Sequence, residues 1–282
     1  RSPHHVAAVF QQDADIGIRF TATRGAMSIG ESKGGLPPDA LVEGEAAILK
    51  DSERLVAAFH DPRPGAMVQV ALAPCSPFSV SRDLMRVSAE LARSYTGQGV
   101  RLHTHLAEND HDLAYSREKF GCTPTQYAQD LGWLGPDVWH AHCVKLDAAG
   151  LDVFARTGTG VAHCPGSNMR LASGICPTLD LEAAGAPIGI GVDGSASNDT
   201  INMFLETRLA QLLQRLGERT SLGCGQAHGE KICQTARQHL PTQGRAQGLL
   251  RLLIAPQQRQ AGGLGAGMGV TAHAAQLDAQ VL

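Results

Sequence analysis

His103 and His105 stand two residues apart near the end of Val100-Arg-Leu-His-Thr-His-Leu-Ala-Glu108, where apolar Val100 and Leu102 alternate with polar neighbours as they do in a strand. Side chains at i and i+2 of an extended backbone project to one face, so the spacing sends both imidazoles the same way. Glu108 follows His105 by three residues. A strand turning into a loop there brings the carboxylate back toward whatever that imidazole holds, which puts a metal ligand beside a proton carrier. Taken alone, the segment fits a polar strand end with two hydrogen-bonded histidines equally well.

Two later segments change the balance. Asp137-Val-Trp-His-Ala-His-Cys-Val144 repeats the pattern, a short apolar strand carrying His140 and His142 at the same-face spacing. Pro187-Ile-Gly-Ile-Gly-Val-Asp-Gly194 is a third strand, ending in Asp193. Three strands that end in His, His and Asp, each followed by helix-like sequence, point to a metal site at the carboxyl edge of a parallel barrel.

The elements that must position these residues follow in order. Strands are expected at Gly17–Arg24, Val68–Pro74, around His103, at Asp137–Val144, at Gly160–Pro165 and at Pro187–Asp193. Helices are expected at Asp39–His60, at Arg82–Tyr95 with Ser81 as cap, at Asp110–Leu131 with breaks near Gly121 and Pro124, at Asp147–Thr157, around Leu179–Ala184 and at Ile201–Leu216. Gly25–Pro38 and Gly166–Gly174 read as long loops. Strands alternating with helices argue for a parallel α/β architecture. Arg24, at a strand end, is a candidate substrate contact, with an ordinary ion pair as the competing expectation. His163 is expected to be structural, and His4 and His5, being adjacent, to be surface residues.

Composition narrows the function classes. The chain has 282 residues, 43% hydrophobic, with a net charge of −3, which offers no electrostatic footprint for nucleic acid. No apolar run reaches the roughly 20 residues that span a bilayer, so no membrane role and a cytoplasmic location are expected. Seven cysteines without CxxC spacing fit reduced thiols, with Cys143 and Cys164 acting as small hydrophobes in buried strands. The P-C-x-x-C that cytidine-type deaminases need beside H-x-E and the H-E-x-x-H of zincins are absent, and Gly191-Val-Asp-Gly-Ser195 does not match the G-x-S-x-G nucleophile elbow of serine hydrolases. Past Gly217 acidic residues thin out, no aromatic occurs, and Gln, Gly, Ala and Arg dominate. Residues 217–282 are expected to pack poorly, and the Gly262–Gly269 run lacks the ending of a phosphate loop.

His-Thr-His-Leu-Ala-Glu (103–108), His-Ala-His-Cys-Val-Lys-Leu (140–146), Val-Ala-His-Cys-Pro-Gly-Ser-Asn-Met-Arg-Leu-Ala-Ser-Gly (161–174) and Gly-Val-Asp-Gly-Ser-Ala-Ser-Asn-Asp (191–199) together resemble the amidohydrolase superfamily. Within it, these and Ala-Thr-Arg-Gly-Ala-Met-Ser (22–28) and Ala-Pro-Cys-Ser-Pro-Phe-Ser-Val-Ser (73–81) look most like the branch of 8-oxoguanine deaminases and hydroxyatrazine-type aminohydrolases. The resemblance runs from about residue 16 to residue 216. It implies a metal-dependent (β/α)8 TIM barrel and one divalent ion, Zn2+ with Fe2+ as the alternative. It also implies roles: His105 and Asp193 as metal ligands, Glu108 as proton shuttle, His142 beside the water that the metal activates, and Asp193 as acceptor of that water's proton. His103 and His140 are not carried over from the family and are expected to orient the ligands, and Arg24 and Cys75, at other strand ends, are expected to contact substrate.

The resemblance departs from the family's pattern in two places. The family's first strand carries a His-x-His pair, and no such pair lies upstream of Ile16. Residues 1–216 are therefore expected to form a partial barrel, strands three to eight, without the first two strands and the flanking small β domain. Residues 217–282 are expected to be a shifted reading frame. The expected activity is hydrolytic deamination of an aminated purine-like heterocycle, foremost 8-oxoguanine to urate and ammonia, with a homo-oligomer left open. An s-triazine aminohydrolase and a non-catalytic barrel fragment are the alternatives.

Overall fold

The computed structural model describes Gly17 and residues 19–217, so the expectations for residues 1–15 and for the tail after Gly217 lie outside the described residues. Six parallel strands, β1 (Phe20–Ala26), β2 (Val68–Pro74), β3 (Arg101–Leu106), β4 (Val138–His142), β5 (Gly160–His163) and β6 (Ile188–Ile190), pair in sequence order. Among the described residues the sheet is open, with β1 and β6 at its edges. This is part of the expected barrel.

Helices join successive strands: α1 (Glu45–Phe59), α2 (Arg82–Ser94), α3 (Asp110–Tyr115), α4 (Pro124–Asp130), α5 (Ala148–Thr157), α6 (Pro165–Arg170), α7 (Thr178–Ala184) and α8 (Met203–Gly217). Caps fix several starts. Ser81 accepts from Leu84 N–H at 2.9 Å and Asp147 from Gly150 N–H at 2.8 Å. The break between α3 and α4 falls at Gly121 and Pro124 as expected, with one wide turn over Ser116–Phe120. No helix among the described residues is long and apolar enough to cross a membrane. The five described cysteines are all free thiols, and Cys143 and Cys164 are buried.

Alternation along the strands decides what each face does. Val70, Leu72, Leu102, Leu106, Val138 and Val161 join Leu55 of α1, Leu84 of α2 and Phe154 of α5 in the main core, beneath the helices. The opposite face carries the small cluster Ala71, Trp139 and Ala162 and, by the same alternation, His103 and His105. Trp133 locks the helical layer by donating its indole N–H to Met85 O at 2.9 Å while 0% exposed.

Several expected boundaries are corrected. The single helix at Asp39–His60 is a short 3-10 turn, Asp39–Leu41, an extended Val42, and then α1. Leu41 is 60% exposed and not part of a buried face, because Glu43 is drawn to Arg24 and Gly44 restarts the chain. The loop expected at Gly166–Gly174 begins as α6, with Pro165 at a position that needs no N–H. The last strand is only Ile188–Ile190, so Asp193 sits in the loop that leaves it.

Buried histidines make the fold acid-sensitive. His140 gives Nε2–H to Trp133 O at 2.9 Å and packs against Phe154; burial lowers its pKa to about 4. His163, also fully buried, is lowered to about 3 for the same reason. Both folded values lie below the unfolded one, so their contribution is complete above pH ~6.5 and is lost as pH falls toward 4. We expect urea unfolding to show a decrease of several kcal/mol between pH ~7 and pH ~4. A flat profile would mean that these rings are charged or hydrated in the fold.

Candidate metal centre and active site

His105, next to last in β3, lies on the inner face and donates Nδ1–H to the backbone oxygen of Cys75 at 2.7 Å. That oxygen can only accept, so the proton is fixed on Nδ1 and Nε2 presents its lone pair. Cys75 also accepts the His105 backbone N–H at 3.0 Å, so the peptide after β2 orients the imidazole twice over. The Cys75 thiol, 4.0 Å from the ring, is partly exposed beside it.

His142 reaches the same place by another route. Along β4 the residues alternate, and His140 points under the helices to Trp133 and Phe154, which overturns the shared face expected for His140 and His142. At His142 the backbone enters the left-handed region, φ +70°, and Cys143 follows at +52°. This turn at the strand end brings the His142 ring to 5.3 Å from that of His105, stacked on it. His142 donates Nδ1–H to Asn168 Oδ1 at 2.9 Å, leaving Nε2 as the acceptor. Burial, with the neighbouring His105 adding to it, lowers its pKa to about 4.

Asp193, at φ +64°, closes the group. Its Oδ2 accepts Ser167 Oγ–H at 2.5 Å and Ser197 Oγ–H at 2.7 Å. Its Oδ1 lies 4.0 Å from His105 Nε2, and Oδ2 lies 4.0 Å from His142 Nε2. Burial pushes the Asp193 carboxyl up, but His142, the two serine hydroxyls and His105 together hold it below the usual carboxylate range.

The donor set suits a metal ion. One ligand atom each from His105, His142 and Asp193 can be chosen so that all lie within 4.8 Å of one another. At 4.0 Å the nitrogen and oxygen atoms are too far apart to hydrogen-bond, yet two bonds of about 2.0–2.2 Å could meet between them. Two imidazoles and a carboxylate are donors that zinc accepts.

Glu108 stands across from this group, after the left-handed Ala107 at φ +51°. Its Oε2 is 3.8 Å from His142 Nε2, and its Oε1 accepts Ser173 Oγ–H at 3.2 Å. Asp112 of α3 holds the loop by accepting the Glu108 backbone N–H at 2.8 Å. Burial raises the Glu108 pKa; His105 and the Ser173 hydroxyl pull it down, and Asp193 adds to the rise. The net effect is a carboxyl that keeps its proton to higher pH than a free side chain, as suits a group that gives and takes protons.

The remaining candidates fall outside the cluster. Arg24 has the parity of Phe20 and Ala26, on the helical face, where it pairs with Asp51 of α1 at 2.8 Å and Glu43 at 2.9 Å. The expected substrate contact is thus an ion pair between β1 and the segment after it. His103 lies behind His105, ring centroids 5.7 Å apart, and stacks on Trp139 at 4.8 Å. His140 spends its hydrogen bond on Trp133 O, away from the cluster, and the orienting role expected of it passes to Cys75 O and Asn168. Ser167, Asn168, Ser173 and Ser197 were not singled out from sequence. Isolated Ser and Asn residues are common in loops, and only their spacing after β5 and β6 could have marked them.

An amidohydrolase family model matches residues 2–229. The chain is 55% identical over 202 residues to an 8-oxoguanine deaminase of Pseudomonas aeruginosa, covering 72% of this chain and 44% of that protein. It is 43% identical over 201 residues to a hydroxydechloroatrazine ethylaminohydrolase of a Pseudomonas species, covering 71% and 41%. Among solved structures, an atrazine chlorohydrolase from Arthrobacter aurescens complexed with zinc matches with TM-score 0.71 and 34% identity, over 76% of this chain and 46% of that one. The chain thus spans less than half the length of these relatives. With a family model covering most of its length, and with motifs and a parallel α/β fold that agree, the chain belongs to the amidohydrolase family.

Proposed function

We propose that this chain carries the reaction edge of a zinc-dependent hydrolytic deaminase acting on a small aminated purine-like heterocycle, with 8-oxoguanine as first candidate, urate and ammonia being the products. The observation that carries the reading is the convergence of His105, His142 and Asp193 with Glu108 across from them. The likeness to an 8-oxoguanine deaminase supports the substrate class. His105 and Asp193 would hold the ion, with His142 beside it. When bound, a divalent ion supplies Lewis acidity, lowering the pKa of water from about 16 toward about 7.

The chain's own groups account for the proton traffic. Asp193, held below the usual range and oriented by Ser167 and Ser197, is placed to take a proton from the attacking water. His142, neutral because of its burial, presents Nε2 toward the same space. Glu108, whose carboxyl burial pushes above its ordinary range, is placed to protonate a ring nitrogen as the water oxygen bonds to the amine-bearing carbon. Glu108 then takes the proton of the new hydroxyl group while Asp193 passes the water's proton to the exocyclic amine, whose C–N bond breaks to release ammonia, and both carboxyls return to their starting states. Water adds, ammonia leaves, and no oxidant is needed.

A second reading, an s-triazine aminohydrolase, draws on the likeness to the hydroxydechloroatrazine and atrazine hydrolases. The test is amine release by the zinc-loaded chain offered 8-oxoguanine or hydroxyatrazine. Ammonia with urate supports the first reading, and ethylamine or isopropylamine supports the second. Zinc uptake without turnover of either would leave a metal-binding barrel fragment. Removing the metal with a chelator should abolish turnover, and zinc should restore it.

A further inference from the structure

Glu206 on α8 is a carboxylate with 0% exposure, outside the cluster just described. Its Oε2 accepts the Gly166 backbone N–H at 2.9 Å, and its Oε1 accepts Asn198 Nδ2–H at 2.7 Å. Asn198 also donates to Val192 O at 2.8 Å, which closes the loop leaving β6. The neighbours of these two partners, Ser167 and Ser197, are the hydroxyls that grip Asp193 Oδ2. One buried carboxylate therefore ties together the two segments that hold Asp193.

The approach is tight. A Cβ on residue 166 would stand 2.4 Å from Glu206 Oε1 and 2.8 Å from Asn198 Nδ2, so only glycine lets the three groups meet. Burying a carboxylate costs stability, and an apolar side chain of the same size serves packing alone at least as well. What the carboxylate adds is two acceptors in fixed directions, which sets the distance between the loops.

We propose that Glu206 is a positioning residue for Asp193: by bridging Gly166 and Asn198 it fixes where the Ser167 and Ser197 hydroxyls stand and so the direction in which Asp193 faces His105 and a metal ion. The proposal rests on the metal-site reading above and not on the choice of substrate. Gln at 206 keeps the shape, but its amide nitrogen must face one of the two donors, so one tie is lost.

The test is zinc affinity, measured on the full chain by competition with a chromophoric chelator, for the unaltered chain, Glu206→Gln, Ser167→Ala/Ser197→Ala and the triple variant. Glu206→Gln should weaken zinc binding by about tenfold, in the range found for residues that orient metal ligands. In the Ser167→Ala/Ser197→Ala background the same change should cost less than about twofold, because the path to Asp193 is already cut. A merely structural Glu206 would lower the unfolding midpoint of the metal-free chain and leave zinc affinity unmoved, which overturns the proposal; so does an equal loss in both backgrounds. Should Glu206→Gln fail to fold by circular dichroism, Asn198→Ala cuts the Oε1 tie, along with the Asn198 bonds to Val192 O and Thr200 N–H, and leaves the Gly166 tie in place; unchanged zinc affinity there overturns the proposal too. Absence of zinc binding by the unaltered chain overturns the metal reading and this inference with it, whereas binding that ignores Glu206→Gln overturns only this inference.

Discussion

The Asp193→Asn variant is expected to lose about a thousandfold or more in turnover and most of its bound metal, while unfolding within a few degrees of the unaltered chain. Asp193 would act twice, as an ion's ligand through its carboxylate and as acceptor of the water's proton, and general base catalysis alone is worth about 10²–10⁴-fold. Asparagine keeps the volume and an oxygen that can accept from Ser167 or Ser197, whose hydroxyls can rotate to face either end of the amide. It supplies neither the negative charge nor a site for the proton. Ammonia release and zinc content measured on the same sample check the prediction. Full zinc occupancy with a modest loss of rate would remove Asp193 from both roles.

Glu108→Gln should separate chemistry from metal binding. We expect turnover to fall by about 10²–10⁴-fold with zinc content unchanged, because Glu108 faces His142 from 3.8 Å and is not among the three residues whose ligand atoms converge. Stability should move the other way. Burial raises the folded pKa of Glu108, so its charged form is disfavoured in the fold, and the group costs stability at pH values above that folded pKa. A neutral glutamine removes this cost, so the variant should unfold at the same or a higher temperature than the unaltered chain near pH ~7. Measuring metal content, turnover and unfolding midpoint together is decisive: a joint loss of zinc and activity would make Glu108 a ligand and not a proton carrier.

The sequence determined the parts of this protein that depend on local pattern. Alternating Val, Leu and Ala residues bounded by Gly, Pro and capping residues are enough to place β2, β3 and β4 and the start of α2, because each follows from side-chain period and cap chemistry within a few positions. The same local rules put His105 on the inner face beside His103. Motif order and spacing carried the family and the partial barrel. Where adjacent signals competed, as at Asp39–Gly44, the expected boundary was wrong: the pull of Arg24 on Glu43 comes from another element and leaves no trace in the helix's own periodicity.

Only the tertiary structure decided how the site is held. His142 enters it through a left-handed turn at the end of β4 while His140, at the favoured spacing, goes under the helices. The parity of β1 turns Arg24 away from the inner face and into an ion pair with α1 and Glu43. Cys75 contributes its backbone oxygen, a group that every residue has and no motif can mark. The grip on Asp193 comes from Ser167 and Ser197, and their alignment from Glu206, three residues on separate segments. Period and spacing fix what happens within one strand or helix. The pairing of lone pairs and hydroxyls across elements is set by packing, and so it becomes visible only when the strands stand side by side.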